Sequence, residues 1–120
     1  MNPGGGIPSV TPPDAAAELA TGSPLLVDVR ERDEFAAQRV DAAALVPLSE
    51  FVARHQELPK DRPLLMLCAA GSRSSSATMY LLQNGWTDVR NVTGGINAWA
   101  AAGLPTRSGP PGDDEGAIPG

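Results

Sequence analysis

The chain contains one cysteine, Cys68, which stands where an apolar run meets a loop of small residues. Leu64–Leu67 precede it, and Ala69–Ser74 follow it. Backbone N–H groups in such a loop, and the positive end of a helix behind it, stabilise negative charge. Both lower the pKa of a thiol, and the thiolate is the nucleophilic form of cysteine. The alternative interpretation is an inert thiol, because free cysteines are commonly buried as small hydrophobic residues.

The loop after the cysteine has the composition of an anion-binding nest. Gly71 lets the backbone adopt a tight or left-handed conformation that a side chain would block. The small side chains of Ala69, Ala70 and Ser72 leave successive N–H groups free to face one centre. Arg73 adds a fixed cation, which we expect to close the loop by pairing with a carboxylate and only secondarily to contact substrate.

Other polar residues near this loop have competing interpretations. Asp28, Arg30 and Glu31 have the residue types of an acid–base set, but we interpret them as a structural ion-pair group. A serine nucleophile would need a base, and no histidine or lysine lies close in sequence to the serines that follow Gly71. Ser74 is instead expected to cap the helix after the loop, and Ser49 is expected to cap a helix that runs to about Glu57.

Length and composition limit the classes of protein to consider. A chain of 120 residues with 42% hydrophobic residues fits one globular domain with its own core. The formal net charge of −5 and the absence of a Lys/Arg cluster argue against nucleic-acid binding. One cysteine and one histidine exclude a disulfide framework and a His-rich or zinc-type site, so no metal is expected. The histidine, His55, is expected at the surface.

The sequence also bears on location. No stretch has the apolar length of a membrane span, and residues 1–8 lack the basic and apolar regions of a secretory signal. We therefore expect no membrane association and, by default, a cytoplasmic location. A lone cysteine agrees with a reducing compartment.

Short strands and short helices alternate along the middle of the chain. Predicted strands span residues 25–29, 44–46, 64–67 and 89–92, and predicted helices span residues 12–20, 32–37, 49–57, 74–84 and 96–102. The alternation predicts an α/β fold with a central, mostly parallel sheet and helices on both faces. Ligands bind at the carboxyl ends of strands in such sheets, where Cys68 would lie. Residues 1–10 are expected to be flexible, and the Gly/Pro-rich, acidic tail of residues 107–120 is expected to be disordered.

Four segments, in this order along the chain, resemble the rhodanese family of sulfurtransferases. They are Val27–Glu31 with Glu34-Phe35, Val46–Leu48, Cys68–Ser74, and Gly94–Trp99 with Gly103–Pro105. The resemblance covers residues 11–106, which are therefore expected to form a single rhodanese-like domain.

The resemblance implies a two-step sulfur transfer that needs no cofactor. The thiolate of Cys68 would take the outer sulfur of a donor such as thiosulfate, and the persulfide would pass it to cyanide or a thiol. A protein thiol is a further candidate acceptor. The residues implied to bind the persulfide are Ala69, Ala70, Gly71, Ser72 and Arg73, with Asp28 and Arg30 in support.

The sequence departs from the family pattern in two places. Gln38–Ala43 stand where members often carry Gly-His-Ile-Pro-Gly-Ala, so Arg39 replaces the histidine. Ala69 and Ala70 stand where many members that use thiosulfate carry a basic or polar residue. The second departure predicts weak attraction for a dianionic donor.

Two alternative functions stay open at this point. One is a rhodanese-fold module that docks partners without turnover. The other is a cysteine-dependent phosphatase or arsenate reductase, whose loops have five residues between the cysteine and the arginine. Only four residues separate Cys68 from Arg73, so we expect this loop to be too small for a tetrahedral oxyanion.

Overall fold

The computed structural model describes residues 6–119 of the chain. The strands are β1 (Ser9–Val10), β2 (Leu25–Asp28), β3 (Ala44–Leu45), β4 (Leu64–Leu67) and β5 (Val89–Val92). The helices are α1 (Pro12–Leu19), α2 (Arg32–Ala37), α3 (Leu48–Arg54), α4 (Ser72–Gln83) and α5 (Gly95–Ala101), with a 3-10 turn at His55–Glu57. All strand pairs are parallel, and the strands lie in the order β1-β5-β4-β2-β3. The predicted α/β fold is confirmed.

Strand β4 lies at the centre of the sheet and is buried on both faces. Leu64 and Met66 belong to the apolar cluster on one face, and Leu65 and Leu67 belong to the cluster on the other. The first face is covered by Phe51 of α3 and by Ala77 and Leu81 of α4, and the second by Ala15 of α1, Phe35 of α2, and Ile96 and Trp99 of α5. This two-sided burial explains why β4 is apolar throughout, and it confirms helices on both faces.

The parallel register brings three strand ends to one edge of the sheet. Asp28 of β2 is aligned with Leu67 of β4, and Asn91 of β5 is aligned with Met66. Cys68 directly follows β4, so it lies between the ends of β2 and β5 at the carboxyl edge. The topology thereby gives the thiol the position that the sequence predicts for it.

Three helices begin one or two residues before their predicted starts: α3 at Leu48, α4 at Ser72 and α5 at Gly95. Gly71, at φ +106°, is the residue before α4, so this helix starts two residues early and Ser74 lies inside its first turn. Pro47 precedes α3, and Ser49 is already helical. The Ser49 hydroxyl donates to the Glu31 carboxylate at 2.8 Å instead of capping its own helix. The expected cap roles of Ser74 and Ser49 are therefore corrected.

The N-terminal segment contributes a strand that the sequence did not predict. Ser9 and Val10 pair in parallel with Asn91 and Val92 of β5 and form one edge of the sheet. The segment was expected to be flexible because it is rich in glycine and proline, and a strand of two residues has no periodicity by which the sequence could reveal it. Residues 1–5, which were included in that expectation, lie outside the described residues.

The C-terminal segment 107–119 lies against the domain, which differs from the disorder expected for it. Arg39 and Arg107 form an antiparallel bridge, and the Leu45 N–H donates to the Gly116 carbonyl at 2.8 Å. The Arg39 guanidinium, 2% exposed, binds the Glu115 carboxylate through its Nε at 2.6 Å. A buried cation and an open β3 edge both need partners, and this segment supplies them. Residue 120 lies outside the described residues.

His55 is buried rather than at the surface. Its ring is 6% exposed and lies against Tyr80 and Trp86, with centroid distances of 4.9 and 5.6 Å. Its Nδ1 lies 2.8 Å from the Val52 carbonyl oxygen. The expectation of a surface histidine is therefore corrected, because the aromatic packing of this face extends to the 3-10 turn.

Among residues 6–119, no helix is both long enough and apolar enough to cross a membrane.

Candidate active site

Cys68 occupies the turn that joins the central strand β4 to helix α4. The residue is 1% exposed, and the loop after it folds back over its sulfur. The Gly71 N–H donates to Cys68 Sγ at 3.1 Å, and the Ser74 Oγ lies 3.2 Å from the same sulfur. The predicted nest is thus present as a short turn with donors directed at the thiol.

Glycine is required at two positions around this turn. Gly71 has φ +106°, and a Cβ there would come within 3.3 Å of the Gly94 nitrogen. Gly95 begins α5 at φ +61°, and a Cβ there would collide with the carbonyl oxygens of Cys68 and Ala69. The turn at Gly94-Gly95 therefore serves the close approach of α5 to the cysteine loop.

Helix α5 fixes the carbonyl side of the same loop. The Ile96 N–H donates to the Cys68 carbonyl at 2.8 Å, and the Asn97 N–H donates to the Ala69 carbonyl at 3.1 Å. These are free N–H groups of the first turn of α5. With its carbonyls held on that side, the loop directs its own N–H groups toward the sulfur.

The environment of Cys68 changes the acidity of its thiol. Burial raises the pKa of Cys68, because the charged form loses contact with water. Hydrogen bonds that the thiolate can accept from the Ser74 hydroxyl and from the N–H groups of Ser74, Gly71 and Ala70 oppose that effect. They are together stronger than the burial, so the pKa of Cys68 lies below its ordinary value. A lowered pKa favours the thiolate, which is the reactive form.

Arg73 closes the loop against a neighbouring helix. Its Nη1 and Nη2 donate to Glu34 Oε1 and Oε2 at 2.7 and 2.8 Å, which is a bidentate pair. Glu34 also accepts the Glu31 N–H at 3.0 Å and so caps α2. Pairing with Arg73 lowers the pKa of Glu34 to about 2. The guanidinium therefore has the loop-closing position expected for it, between α4 and α2.

Asp28 and Arg30 form a buried ion pair at the end of β2. They are 0% and 4% exposed, and Arg30 Nη2 donates to Asp28 Oδ2 at 2.8 Å. Arg30 also donates to the carbonyls of Gln38, at 2.6 Å, and Glu34, at 3.2 Å. These bonds tie both ends of α2 to β2, as expected of a structural ion pair. Glu31, which was expected in the same group, is not part of it and accepts hydrogen bonds from Ser49 instead. Through α2, they also support Glu34, which holds Arg73.

The sequence interpretation missed the role of Asn91 in this site. Its side chain is 7% exposed, and its Oδ1 lies 2.5 Å from the Ser74 Oγ. Its Nδ2 donates to the Ser75 Oγ at 3.0 Å and to the Gly71 carbonyl at 3.3 Å. The signal available in the sequence was that Asn91 is a polar residue between Val89 and Val92 in a predicted strand.

The mouth of the loop is made of small, uncharged side chains. Ala70 and Ser72 are exposed, and Ala69 is half-buried. The two arginines that approach the site are each paired with a carboxylate, Arg73 with Glu34 and Arg30 with Asp28. Negative charge at this mouth is therefore met by backbone N–H groups rather than by an unpaired cation. Within the described range 6–119, no cluster of His, Cys, Asp and Glu side chains is arranged to hold a metal ion.

Comparison with known proteins gives consistent results. The family model for the rhodanese-like domain matches residues 11–102. A protein of Allochromatium vinosum named sulfurtransferase is 43% identical over 81 residues, covering 68% of this chain and 76% of that protein. Thiosulfate sulfurtransferase GlpE of Pseudomonas savastanoi is 32% identical over 93 residues, covering 75% and 85% respectively. The crystal structure of a rhodanese-related protein from Thermoplasma volcanium matches with a TM-score of 0.78 at 28% identity, over 83% of this chain and 97% of that one.

Proposed function

Because this chain belongs to the rhodanese-like domain family, we propose that it is a sulfurtransferase in which Cys68 carries the sulfur as a persulfide. The observation that carries the proposal is the set of donors around one sulfur. Gly71 N–H lies 3.1 Å from Cys68 Sγ, the Ser74 hydroxyl lies 3.2 Å from it, and the pKa of the thiol is lowered. Such a site favours a sulfur anion.

In the first half-reaction, the Cys68 thiolate attacks the outer sulfur of the donor. With thiosulfate, a new S–S bond forms to Cys68 and the S–S bond of the donor breaks. Sulfite leaves with the electron pair of that bond, and a persulfide anion remains on the cysteine. The negative charge moves outward by one atom, so the loop N–H groups can stabilise the sulfur before and after the transfer.

In the second half-reaction, a thiophilic acceptor attacks the outer sulfur of the persulfide. Cyanide becomes thiocyanate, or a thiolate becomes a persulfide, while the electron pair of the broken S–S bond returns to Cys68. The cysteine enters and leaves the cycle as a thiolate, so no general base has to remove a proton from it. Splitting the transfer in this way replaces one difficult step by two easier ones.

The charges around the loop also bear on the donor. Thiosulfate is a dianion, and Arg73 and Arg30 are already neutralised by Glu34 and Asp28. Ala69 and Ala70 add no cation at the mouth. We therefore expect a small-molecule or protein persulfide, whose reacting group carries one negative charge instead of two, to load Cys68 at a higher kcat/KM than thiosulfate.

A mass measurement tests the proposal directly. The protein is incubated with thiosulfate, or with a small-molecule persulfide, and its intact mass is recorded before and after addition of cyanide. We expect a gain of one sulfur atom on Cys68, its removal by cyanide, and no gain in Cys68→Ser.

Two results would point elsewhere. No mass gain with any sulfur donor would overturn the proposal and favour a module that binds partners without turnover. Hydrolysis of an aryl phosphate by the wild-type protein, lost in Cys68→Ser, would favour a phosphatase.

A further inference from the structure

The Ser74 hydroxyl lies near three possible acceptor atoms but has one proton to donate. It lies 2.5 Å from Asn91 Oδ1, 3.2 Å from Cys68 Sγ and 3.3 Å from the Gly71 carbonyl oxygen. A serine hydroxyl has one proton to donate and two lone pairs that accept. Ser74 is fully buried, so water does not supply a further partner. The direction of one proton therefore decides what the sulfur meets.

With neutral Cys68, the observed distances assign the proton clearly. A separation of 2.5 Å between two oxygen atoms requires a proton between them, so Ser74 donates to Asn91 Oδ1. A lone pair of Ser74 Oγ then faces Cys68 Sγ and accepts the S–H of the thiol. In this arrangement Ser74 stabilises the thiol and not the thiolate.

With an anionic sulfur, the same proton has to turn. Ser74 must donate to Cys68 Sγ, which leaves its oxygen against Asn91 Oδ1 with no proton between them. Rotation of the Asn91 amide by half a turn removes this conflict, because Nδ2 then donates to Ser74 Oγ. The contact lengthens slightly, since N–H···O bonds are longer than O–H···O bonds.

The surroundings of Asn91 accept the rotated amide. Its Oδ1 would then face the Ser75 hydroxyl, now 3.0 Å from Nδ2, and a hydroxyl can donate as well as accept. The Gly71 carbonyl would lose its long bond of 3.3 Å from Asn91 Nδ2 but would keep the Ser75 N–H as its donor at 3.0 Å. The two ends of an amide have nearly the same shape, so both orientations fit the same space. Each orientation provides the Ser74 hydroxyl with the partner that it needs for one charge state of Cys68.

We propose that Asn91 is a positioning residue whose amide orientation sets the direction of the Ser74 hydroxyl, and so matches the site to a neutral or an anionic sulfur. Asn91 is well placed for this task because both sides of its strand are paired. Its N–H donates to Pro8 at 2.8 Å, and β5 pairs with β4 on the other side. The inference rests on the proposed function only in treating the sulfur anion as the working state.

The charged groups around the loop stay unchanged in the test below. They are Arg73 of α4 with its partner Glu34 of α2, Asp28 with Arg30 at the end of β2, and Arg90 of β5, which pairs with Glu18 of α1. Helix α5 carries no titratable side chain. Arg73 interacts with the sulfur through its positive charge, and none of the substitutions below removes that charge.

The first experiment follows the side-chain amide of Asn91 by ¹H–¹⁵N NMR during a pH titration of the wild-type protein. We expect its signals to move with the midpoint at which Cys68 titrates. The movement should shrink strongly in Ser74→Ala, which breaks the relay, and vanish in Cys68→Ala. Asn91 amide signals that do not move during the titration would overturn the proposal. Signals that move as far in Ser74→Ala as in the wild-type protein would also overturn it.

The second experiment measures the rate of iodoacetamide alkylation against pH, which reports on Cys68 alone because the chain has one cysteine. Ser74→Ala should raise the midpoint by about one pH unit, since one hydrogen bond to the anion is lost. Asn91→Asp keeps the shape of the side chain but loses its N–H donor. It should raise the midpoint of Cys68 by more in the wild-type background than in the Ser74→Ala background. Equal shifts in both backgrounds would mean that Asn91 acts only through its charge or packing.

These readouts separate the inference from the proposed function. Both measure the ionisation of the thiol, and neither requires sulfur transfer. A protein that shows the relay but gains no sulfur would refute the proposed function alone. A protein that gains sulfur without the relay would refute the inference alone.

Discussion

Two arginine–glutamate pairs hold two different regions of the molecule. Comparing them distinguishes contacts that affect the rate of the reaction from contacts that affect the stability of the fold. Arg73 and Glu34 close the cysteine loop, and Arg39 and Glu115 fasten the C-terminal segment 107–119. In both pairs the arginine lowers the pKa of the carboxyl group to about 2. The ion pairs are similar, but the structures that they hold are not.

The surroundings of the two arginines explain the difference. Arg73 is 33% exposed and lies in the first turn of α4, directly after the loop whose backbone N–H groups face the sulfur. Arg39 is 2% exposed, and it donates to the Gly109 carbonyl at 2.6 Å in addition to Glu115. Loss of the first pair frees a loop, whereas loss of the second leaves a buried cation without its carboxylate. We therefore expect the first pair to matter for rate and the second for folding.

The largest effect is expected from a chain that ends at Thr106. It loses the partner of Arg39, the acceptor for the Leu45 N–H, and the contact of Ile118 with the core. We expect its Tm to fall by roughly 10 °C or more, because a buried charge and a strand edge both lose partners. Circular dichroism during heating measures this.

The folded fraction of that truncated protein should still gain sulfur on Cys68, which intact mass would detect. An unchanged Tm would show that segment 107–119 does not stabilise the domain. In that case the original expectation of a disordered tail would be the better description.

A matched pair of substitutions, Glu34→Gln and Glu115→Gln, should give the next largest effect. Glu34→Gln removes the charge that fixes Arg73, so we expect sulfur transfer to slow by about tenfold as the loop loosens. Its cost in stability should stay below about 1 kcal/mol, because both side chains are about a third exposed. Steady-state rates with cyanide as acceptor and urea unfolding provide the two measurements.

Glu115→Gln is the control, with the same chemical change in the other pair. It should lower the Tm while leaving kcat unchanged. Equal rate losses in the two variants would remove the distinction between the regions.

The smallest effect is expected from pH, and it should be common to both pairs. Each glutamate has a pKa of about 2 in the fold, below the ordinary 4.5, so the ionised form favours folding. That stabilisation is fully present above the ordinary pKa and is lost as the pH falls from about 5 toward 2. Thermal melts across this range should show a shallower decline in the Glu34→Gln/Glu115→Gln double variant. A decline as steep as that of the wild type would assign the acid sensitivity to other groups.

Elements with a strong local signal were predicted well from the sequence. The bounds of α2, β4 and β5 agree with the prediction, because Glu31 and Glu34 cap α2, β4 is an apolar run, and β5 begins and ends with valine between turn residues. The place of Cys68 follows from the same signals, since the end of a central parallel strand is set by the alternation of elements. The family resemblance then located the loop residues around it.

Features that depend on distant residues could not be predicted in this way. Ser74 meets Asn91 across 17 residues, and Arg39 meets Glu115 across 76. Gly/Pro-rich composition is typical of disorder, but it does not reveal that Arg39 is buried and needs a partner. His55 was misplaced for a similar reason, because Tyr80 and Trp86, which cover it, lie in α4 and just beyond it.

The single thiol has a consequence for how long the sulfur would stay bound. A persulfide next to a second cysteine can be resolved by that cysteine into a disulfide, with loss of the sulfur. This chain of 120 residues offers Cys68 no such resolving partner. The residence time of the sulfur would then be governed by the concentration and nucleophilicity of thiols that arrive from outside. The domain would therefore hold its cargo when acceptors are scarce and release it when they become abundant.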